Sequence, residues 1–493
     1  WHSAIPSRSG LTAGIRHLMD LWEATGNCAL LLPDGTSIPA HTVLETDGIR
    51  LSAAGAGPLL PPGRPRSRPR CLPLWCCDRN DVVDSWLEQG GDGASEILLK
   101  YEDLLGAVAS AGVVRLVHCP TDGASPSGRV RRDVVLSLGE DGFGSGAEQW
   151  AQQASARCVK PGLHHYLVLV NPTSGSGQAQ KIWAQVRALW AELPWIRCEE
   201  VSTAARGDAY RLAQGIDIQA WDGIVIVSGD GLVHEVFSGL ASRRDAEQAL
   251  AAIAVGHVPG GSGNGLAKSV LAGCGEGYGV LEAAFTMAKG GRQPIHLMTV
   301  QQSGQAQRAS FLSLSAGVIS DIDIESEWLR CLGSTRFVLY ALRCVVAPRS
   351  FVGDIVYWPS DGPSPPREEP ALEAPLPSGP WITISDSFTL IWACNSTWQA
   401  HDACVAPQVQ LGEPVWHLVA LRRASRVTLA RFLLSLEDGT AIDRPGIEVI
   451  PCRAFRLTPR CRAGHLTIDG ELMSFAPIQV WPRGAGQLLG GGS

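Results

Sequence analysis

Asp230 stands between two glycines in Ser228-Gly-Asp-Gly-Leu-Val-His-Glu, and a second glycine-rich stretch, Pro259-Gly-Gly-Ser-Gly-Asn-Gly, follows shortly after it. Glycines let backbone N–H groups close on phosphate oxygens, and a carboxylate set among them can approach a substrate hydroxyl or a metal. The pair reads as a nucleotide site. Gly261, Ser262, Gly263 and Asn264 would offer donors to an anion, while Gly229 and Gly231 keep space open around Asp230. A tight turn with Asp230 as a helix N-cap is the competing reading of the first stretch. Glu235, on the first helical turn, would orient loop N–H groups or the nucleotide, and His234 fits a structural role equally well. A third stretch, Asn171-Pro-Thr-Ser-Gly-Ser-Gly, offers hydroxyls and N–H groups at a helix start, where the dipole favours phosphate. An ordinary strand-to-helix turn would look the same, and no Gly-Lys-Ser/Thr makes it a Walker A loop.

Something must hold these stretches together, and the flanking sequence indicates what. Apolar runs at 167–170, 224–227 and 252–255 suit strands buried on both faces, and helical spacing follows at 180–193, 208–214, 233–240 and 279–288. Alternating strands and helices predict an open α/β sheet that binds ligands at the carboxyl ends of its strands. Residues 1–157 alternate short apolar runs (28–32, 71–75, 97–99, 113–117, 134–138) with turns, then close with helical spacing at 147–158, which predicts a small β-rich domain. From 294 onward the chain turns β-rich again, with strands expected at 388–393, 415–420, 446–450, 454–457 and 466–468 and helices at 324–346 and 426–436. The proline- and acid-dense segment at about 360–380 is expected to be a disordered loop. The fold class is therefore α/β plus all-β, in three domains: 1–157, 158–293 and 294–493.

Composition excludes some functions. The 493 residues carry a net charge of −7, which gives no reason to expect nucleic acid as a partner. No apolar stretch approaches the ~20 residues that span a bilayer; the segment 337–347 is broken by Arg343. A protein either soluble or peripheral to membranes is expected. Fourteen cysteines include no Cys-x-x-Cys pair, and they read as buried or incidental thiols of a reducing compartment. The chain starts at Trp1 with no signal pattern, as a fragment or processed form would. The arginine tract at 64–70 reads as a solvated loop or as a contact for anionic lipid.

The ordered set of Asn171-Pro, Ser228-Gly-Asp-Gly-Leu-Val-His-Glu, Gly261-Ser-Gly-Asn-Gly, Asp321-Ile-Asp-Ile-Glu-Ser-Glu and Ile468-Asp-Gly-Glu-Leu resembles the sphingosine (long-chain base) kinases of the diacylglycerol-kinase-like superfamily. The resemblance runs from about residue 166 to 481. It implies an ATP-binding α/β domain followed by a β-sandwich-like lipid-binding domain, with the nucleotide in the cleft between them. Asn171, Thr173, Thr203, Ser228, Ser262, Arg330, Arg336, Gly470 and Glu471 would serve ATP, and Asp230 would be the base for the primary hydroxyl of the lipid. Mg2+ would bridge the phosphates, with Asp230 left open as a metal ligand. Asp323, helped by Ser313 and Asp469, would hold the ammonium of a sphingoid base. Phe337, Leu339 and Leu342 lie on an amphipathic stretch that reads as core packing or as a gate for the lipid tail, and the resemblance favours the gate. It also implies a cytoplasmic protein peripherally associated with membranes, with a second copy of the chain as a further partner. The chain departs from the family where Thr173, Ser174, Ser176 and Gln178 replace basic residues. The N-terminal domain resembles pleckstrin-homology-like extensions. Ceramide or diacylglycerol kinases are close rivals, as is an inactive nucleotide- and lipid-binding scaffold. An NAD kinase would share the Gly-Asp-Gly loop but leave Asp323 and Asp469 unexplained.

Overall fold

The computed structural model describes residues 25–31, 37–53, 96–110, 113–122, 128–137, 147–174, 177–332, 335–461 and 464–491. The arginine tract at 64–70 and the strand expected at 71–75 lie outside the described residues. The chain divides into two compact units, one of Trp1–Gly162 with Glu192–Pro194, the other of nearly all the rest.

In the first unit the strands β1 (Thr25–Leu31), β2 (Ser37–Leu44), β3 (Gly48–Ala53), β4 (Glu96–Lys100), β5 (Leu104–Ser110), β6 (Val113–His118) and β7 (Val134–Ser137) form a seven-stranded sheet in the order β4-β3-β2-β1-β7-β6-β5. Its pairings are antiparallel. Helix α1 (Ala147–Cys158) buries Trp150, Ala151, Ala154 and Cys158, and Ser155 Oγ ties it to the backbone of Ala107 on β5. The unit reaches Gly162, slightly past the boundary expected at 157.

The second unit begins with β8 (His164–Val170), α2 (Ala179–Trp190), β9 (Ile196–Ser202), α3 (Asp208–Gly215), β10 (Gly223–Ser228), α4 (Asp230–Ala241), α5 (Ala246–Ala252), β11 (Ala254–Pro259), α6 (Gly265–Gly273) and α7 (Val280–Ala288). Strands β9, β8, β10 and β11 pair in parallel. Ile224, Val225, Ile226 and Val227 on β10 are fully buried, because helices cover both faces of a parallel sheet and no solvent face calls for alternation. Each such side chain contributes about 1.5–3 kcal/mol by leaving water. Residue 252 ends α5 instead of opening the third strand.

The chain continues through β12 (Arg292–Gln302), β13 (Arg308–Ser310), β14 (Ser313–Gly317), α8 (Val318–Glu325), a 3-10 turn (Glu327–Leu332), α9 (Thr335–Val346), β15 (Phe351–Pro359), β16 (Ile382–Cys394), β17 (Trp398–Ala400), β18 (Ala403–Cys404), β19 (Trp416–Arg422), α10 (Arg426–Leu434), β20 (Ile447–Pro459), β21 (Leu466–Ile468), β22 (Glu471–Met473) and β23 (Ile478–Leu489). The helix expected over 324–346 is thus broken, and Ser326 Oγ bonds back to the Asp323 carbonyl at the break. The two strands expected at 446–450 and 454–457 are one long strand, β20. It pairs β19 through its first half and β15 through its second, and β16 does the same in reverse, so the sheet folds around a core that includes Phe351, Phe388, Trp416 and Phe455.

Two expectations change. Strand β23 pairs β11 in parallel and β12 in antiparallel fashion, so a segment assigned to the C-terminal domain completes the α/β sheet, and the strands run into one 14-stranded sheet. The segment 360–380 has neither helix nor strand, yet it is tied down rather than disordered. Its carbonyls accept from Trp381 Nε1 at Pro377, Trp481 Nε1 at Pro366 and Arg456 at Ala371 and Ala374. Proline lacks the N–H that would build a ladder, but its carbonyl still accepts.

Candidate active site

Strands β8, β10 and β11 end side by side, so the three glycine-bearing stretches emerge together at their carboxyl ends, where open α/β sheets bind ligands. Ser228 Oγ reaches Ser174 Oγ at 3.0 Å, joining the loop after β10 to the loop after β8. A Cβ on Gly261 would lie 2.4 Å from the Gly229 Cα, so these glycines are required by backbone packing of loop on loop as much as by any ligand.

Helix α4 distributes contacts from its first turns. Asp230 accepts the N–H of Gly265 through Oδ2 at 2.8 Å and of Leu266 through Oδ1 at 3.1 Å, which places its carboxylate at the N-terminus of α6. It is a cap, but for a different helix from the one it begins. Its side chain is 11% exposed, and burial pushes its pKa up, against the opposing pull of His257 and the two N–H groups. Glu235 Oε1 accepts the Gly207 N–H at 2.9 Å and so positions the loop after β9, where Thr203 is bonded to the Val170 carbonyl. His234 Nδ1 donates to Asp469 Oδ2 at 2.8 Å.

Asp469 is where the structure departs furthest from the expected lipid contact. It is 3% exposed, has a φ of 48°, and accepts from Ser310 Oγ, from the N–H groups of Phe311, Leu312 and Ser313, and from His234. A carboxylate so enclosed is a structural tie between α4, β13, β14 and the β21–β22 turn, not a surface for an ammonium. The turn it anchors presents Gly470 and Glu471. Glu471 pairs with Arg206, and its Oε1 would lie 3.2 Å from a Cβ on Gly231. Ser313 lends its backbone to Asp469 in both directions.

Asn264 also changes role. At φ 56° it accepts the Gly261 N–H and donates to the Gly261 carbonyl and the Tyr278 hydroxyl, so its amide staples its own loop. Ser262 at the loop tip stays exposed, and the Thr173 hydroxyl bonds Asn171. The β17–β18 hairpin covers the loop from the other side, with the His401 N–H on the Gly263 carbonyl at 2.8 Å.

On α8 and α9, Asp323 and Arg336 face each other at 3.9 Å, and Asp323 Oδ2 would lie 3.8 Å from a Cβ on Gly470, which brings this carboxylate to the same turn as Glu471. Arg336 lies over the Phe337 ring at 4.3 Å, is 7% exposed, and its Nη1 is buried with no hydrogen-bond partner among the described residues. An unpartnered buried guanidinium nitrogen costs about 1–3 kcal/mol, a deficit that a bound anion removes. The side chain of Arg330 lies outside the described residues. The amphipathic stretch divides: Phe337 packs on the core, whereas Leu339 and Leu342 are exposed with Trp328, Val338 and Val346. Among the described residues, Asp321, Glu325 and His465 could together face a cation, but Arg343 and Arg349 already pair with Glu325.

The sequence reading missed His257, Arg206 and Tyr278. His257 alone carried a signal, an ionisable residue inside an otherwise apolar strand.

The diacylglycerol kinase catalytic domain model matches residues 165–300. The chain is 30% identical over 333 residues to "Sphingosine kinase 1" of Arabidopsis thaliana, covering 62% of this chain and 68% of that protein. It is 32% identical over 346 residues to "Sphingosine kinase 1" of Homo sapiens, covering 66% and 90%. A candidate diacylglycerol kinase of Bacillus anthracis str. Sterne, at 17% identity, shares the fold with a TM-score of 0.50 over 68% of this chain and 97% of that one.

Proposed function

The chain belongs to the sphingosine kinase family and is an ATP-dependent lipid kinase; from that premise we propose that it phosphorylates the primary hydroxyl of a sphingoid base, giving the 1-phosphate. The observation that carries the reading is Asp230, buried at the junction of two glycine loops and pushed toward basicity by that burial. Asn171, Thr173, Thr203, Ser228, Ser262, Arg330, Arg336 and Glu471 would hold ATP, and the unpartnered Nη1 of Arg336 supports a phosphate there. Both Asp230 oxygens are already committed to N–H groups at a helix N-terminus, so we leave Mg2+ to the phosphates, where it would neutralise developing charge. Asp230 takes the hydroxyl proton, Arg336 meets charge on the transferred group, and the glycine loops exclude water around both.

Asp323 is the remaining head-group carboxylate once Asp469 is withdrawn. An ammonium would add a second cation beside the one Arg336 offers at 3.9 Å, a charge-assisted contact that neutral ceramide or diacylglycerol cannot make. With labelled ATP and sphingosine, phytosphingosine, ceramide or diacylglycerol as acceptors, only the free bases should be phosphorylated efficiently. Asp323→Asn should raise KM for sphingosine about 10-fold or more while leaving KM for ATP within about twofold, as expected for losing a charge-assisted bond. Equal use of a neutral lipid would overturn the head-group assignment.

We read the exposed face of Trp328, Val338, Leu339, Leu342 and Val346 as the surface through which lipid enters from a membrane. No described helix is long and apolar enough to cross a bilayer. Leu339→Glu with Leu342→Glu should reduce cosedimentation with phosphatidylserine vesicles several-fold while sparing phosphorylation of detergent-dispersed sphingosine; unchanged sedimentation would remove this face from the reading. The strand order and closing helix of the N-terminal unit support a pleckstrin-homology-like extension.

A further inference from the structure

His257 lies on β11 directly behind Asp230. Its side chain is 1% exposed, and its Nε2 lies 3.0 Å from the Ser228 carbonyl. A carbonyl can only accept, so Nε2 carries the proton and Nδ1 presents a lone pair. Among the described residues Nδ1 has no hydrogen-bond partner, and it lies 3.7 Å from Asp230 Oδ1. A small rotation brings it within the ~3 Å of a hydrogen bond. Behind the ring, Val255, Leu266, Val270 and Met287 line a cavity with no charged group to compete for that nitrogen.

We propose that His257 is a positioning residue for phosphoryl transfer: its Nδ1 accepts a hydrogen bond from Asp230 once Asp230 has taken the proton of the acceptor hydroxyl. The inference rests on the proposed role of Asp230 as base. In the step, the hydroxyl O–H bond breaks and its proton goes to Asp230, while the acceptor oxygen forms a bond to the γ-phosphorus. The bond from that phosphorus to its bridging oxygen breaks, and ADP keeps the electron pair. Asp230 then carries a proton in a buried place, and the imidazole gives it a partner without creating a buried charge. Burial raises Asp230 and lowers His257, so both favour this neutral pair. Of the other titratable groups nearby, Asp469 is occupied by His234, and the Tyr278 hydroxyl oxygen accepts from the Asn264 amide.

Two variants and one spectrum test this. His257→Phe removes the acceptor and should lower kcat about 10- to 100-fold with KM for ATP within about twofold. His257→Gln can still donate to Ser228 and accept from Asp230, and should recover kcat to within about fivefold of the parent. In the protein without substrates, the 15N resonance of His257 Nδ1 should move as Asp230 titrates and stop moving in Asp230→Ala. A Phe variant with parental kcat, a Gln variant as slow as Phe, or a pH-independent Nδ1 resonance each overturns the proposal. The spectrum decides alone if Phe prevents folding. Full turnover in Asp230→Asn would instead overturn the base itself.

Discussion

Asp230→Asn lowers turnover by a factor of about 10²–10⁴, a loss of ~3–5 kcal/mol of transition-state stabilisation, while ATP still binds. The amide has nearly the carboxylate's shape and can accept one of the N–H groups of Gly265 and Leu266, so the two loops stay joined. It cannot take a proton from a hydroxyl. Burial shifts the carboxyl upward, so the parent enzyme should lose kcat/KM as pH falls at values above the ordinary carboxylate range of about 4, because only the ionised form accepts the proton. Calorimetric titration with ATP and single-turnover transfer to sphingosine measure the two halves separately. Turnover equal to the parent would remove Asp230 from the chemistry, and lost ATP binding would make it a loop-holding residue only.

Asp469→Ala produces the largest loss of stability. It strands the N–H groups of Phe311, Leu312 and Ser313, the Ser310 hydroxyl and His234, all in a buried place. Each unmet buried donor costs about 1–3 kcal/mol, and relaxation and water entry recover part of the sum. A net loss on the order of 3–5 kcal/mol is expected, comparable with breaking a buried charged pair. Asp469→Asn keeps an acceptor and tolerates the positive φ, so it should lose roughly half as much. Urea unfolding would check both. Activity should fall with stability, because the same turn carries Glu471, and an alanine variant as stable as the parent would contradict the tie between α4 and the β21–β22 turn.

The local pattern was enough to place β8 and β10 and the helices after them, because continuous apolar runs between glycine turns leave few alternatives, whereas β9, whose residues are mostly polar, and α6 carried no such run. It missed the place of β23. That strand's apolar residues and glycines suit any sheet, and only pairing with β11 and β12 decides which one it joins. The disorder expected at 360–380 was inferred from composition, and composition does not register tryptophan and arginine donors brought from distant strands.

The sequence by itself determined that a carboxylate, glycine loops and arginines belong to a lipid kinase, since each of these is recognisable in a short segment. Tertiary structure alone decided what each polar group does. Asp230 and Asp469 are both acids beside glycine, yet one sits at a loop junction and accepts two backbone N–H groups, and the other is enclosed by donors from β13, β14 and α4. The physical reason is that burial and hydrogen-bond saturation are set by chain segments far apart in sequence, here more than two hundred residues for His234 and Asp469.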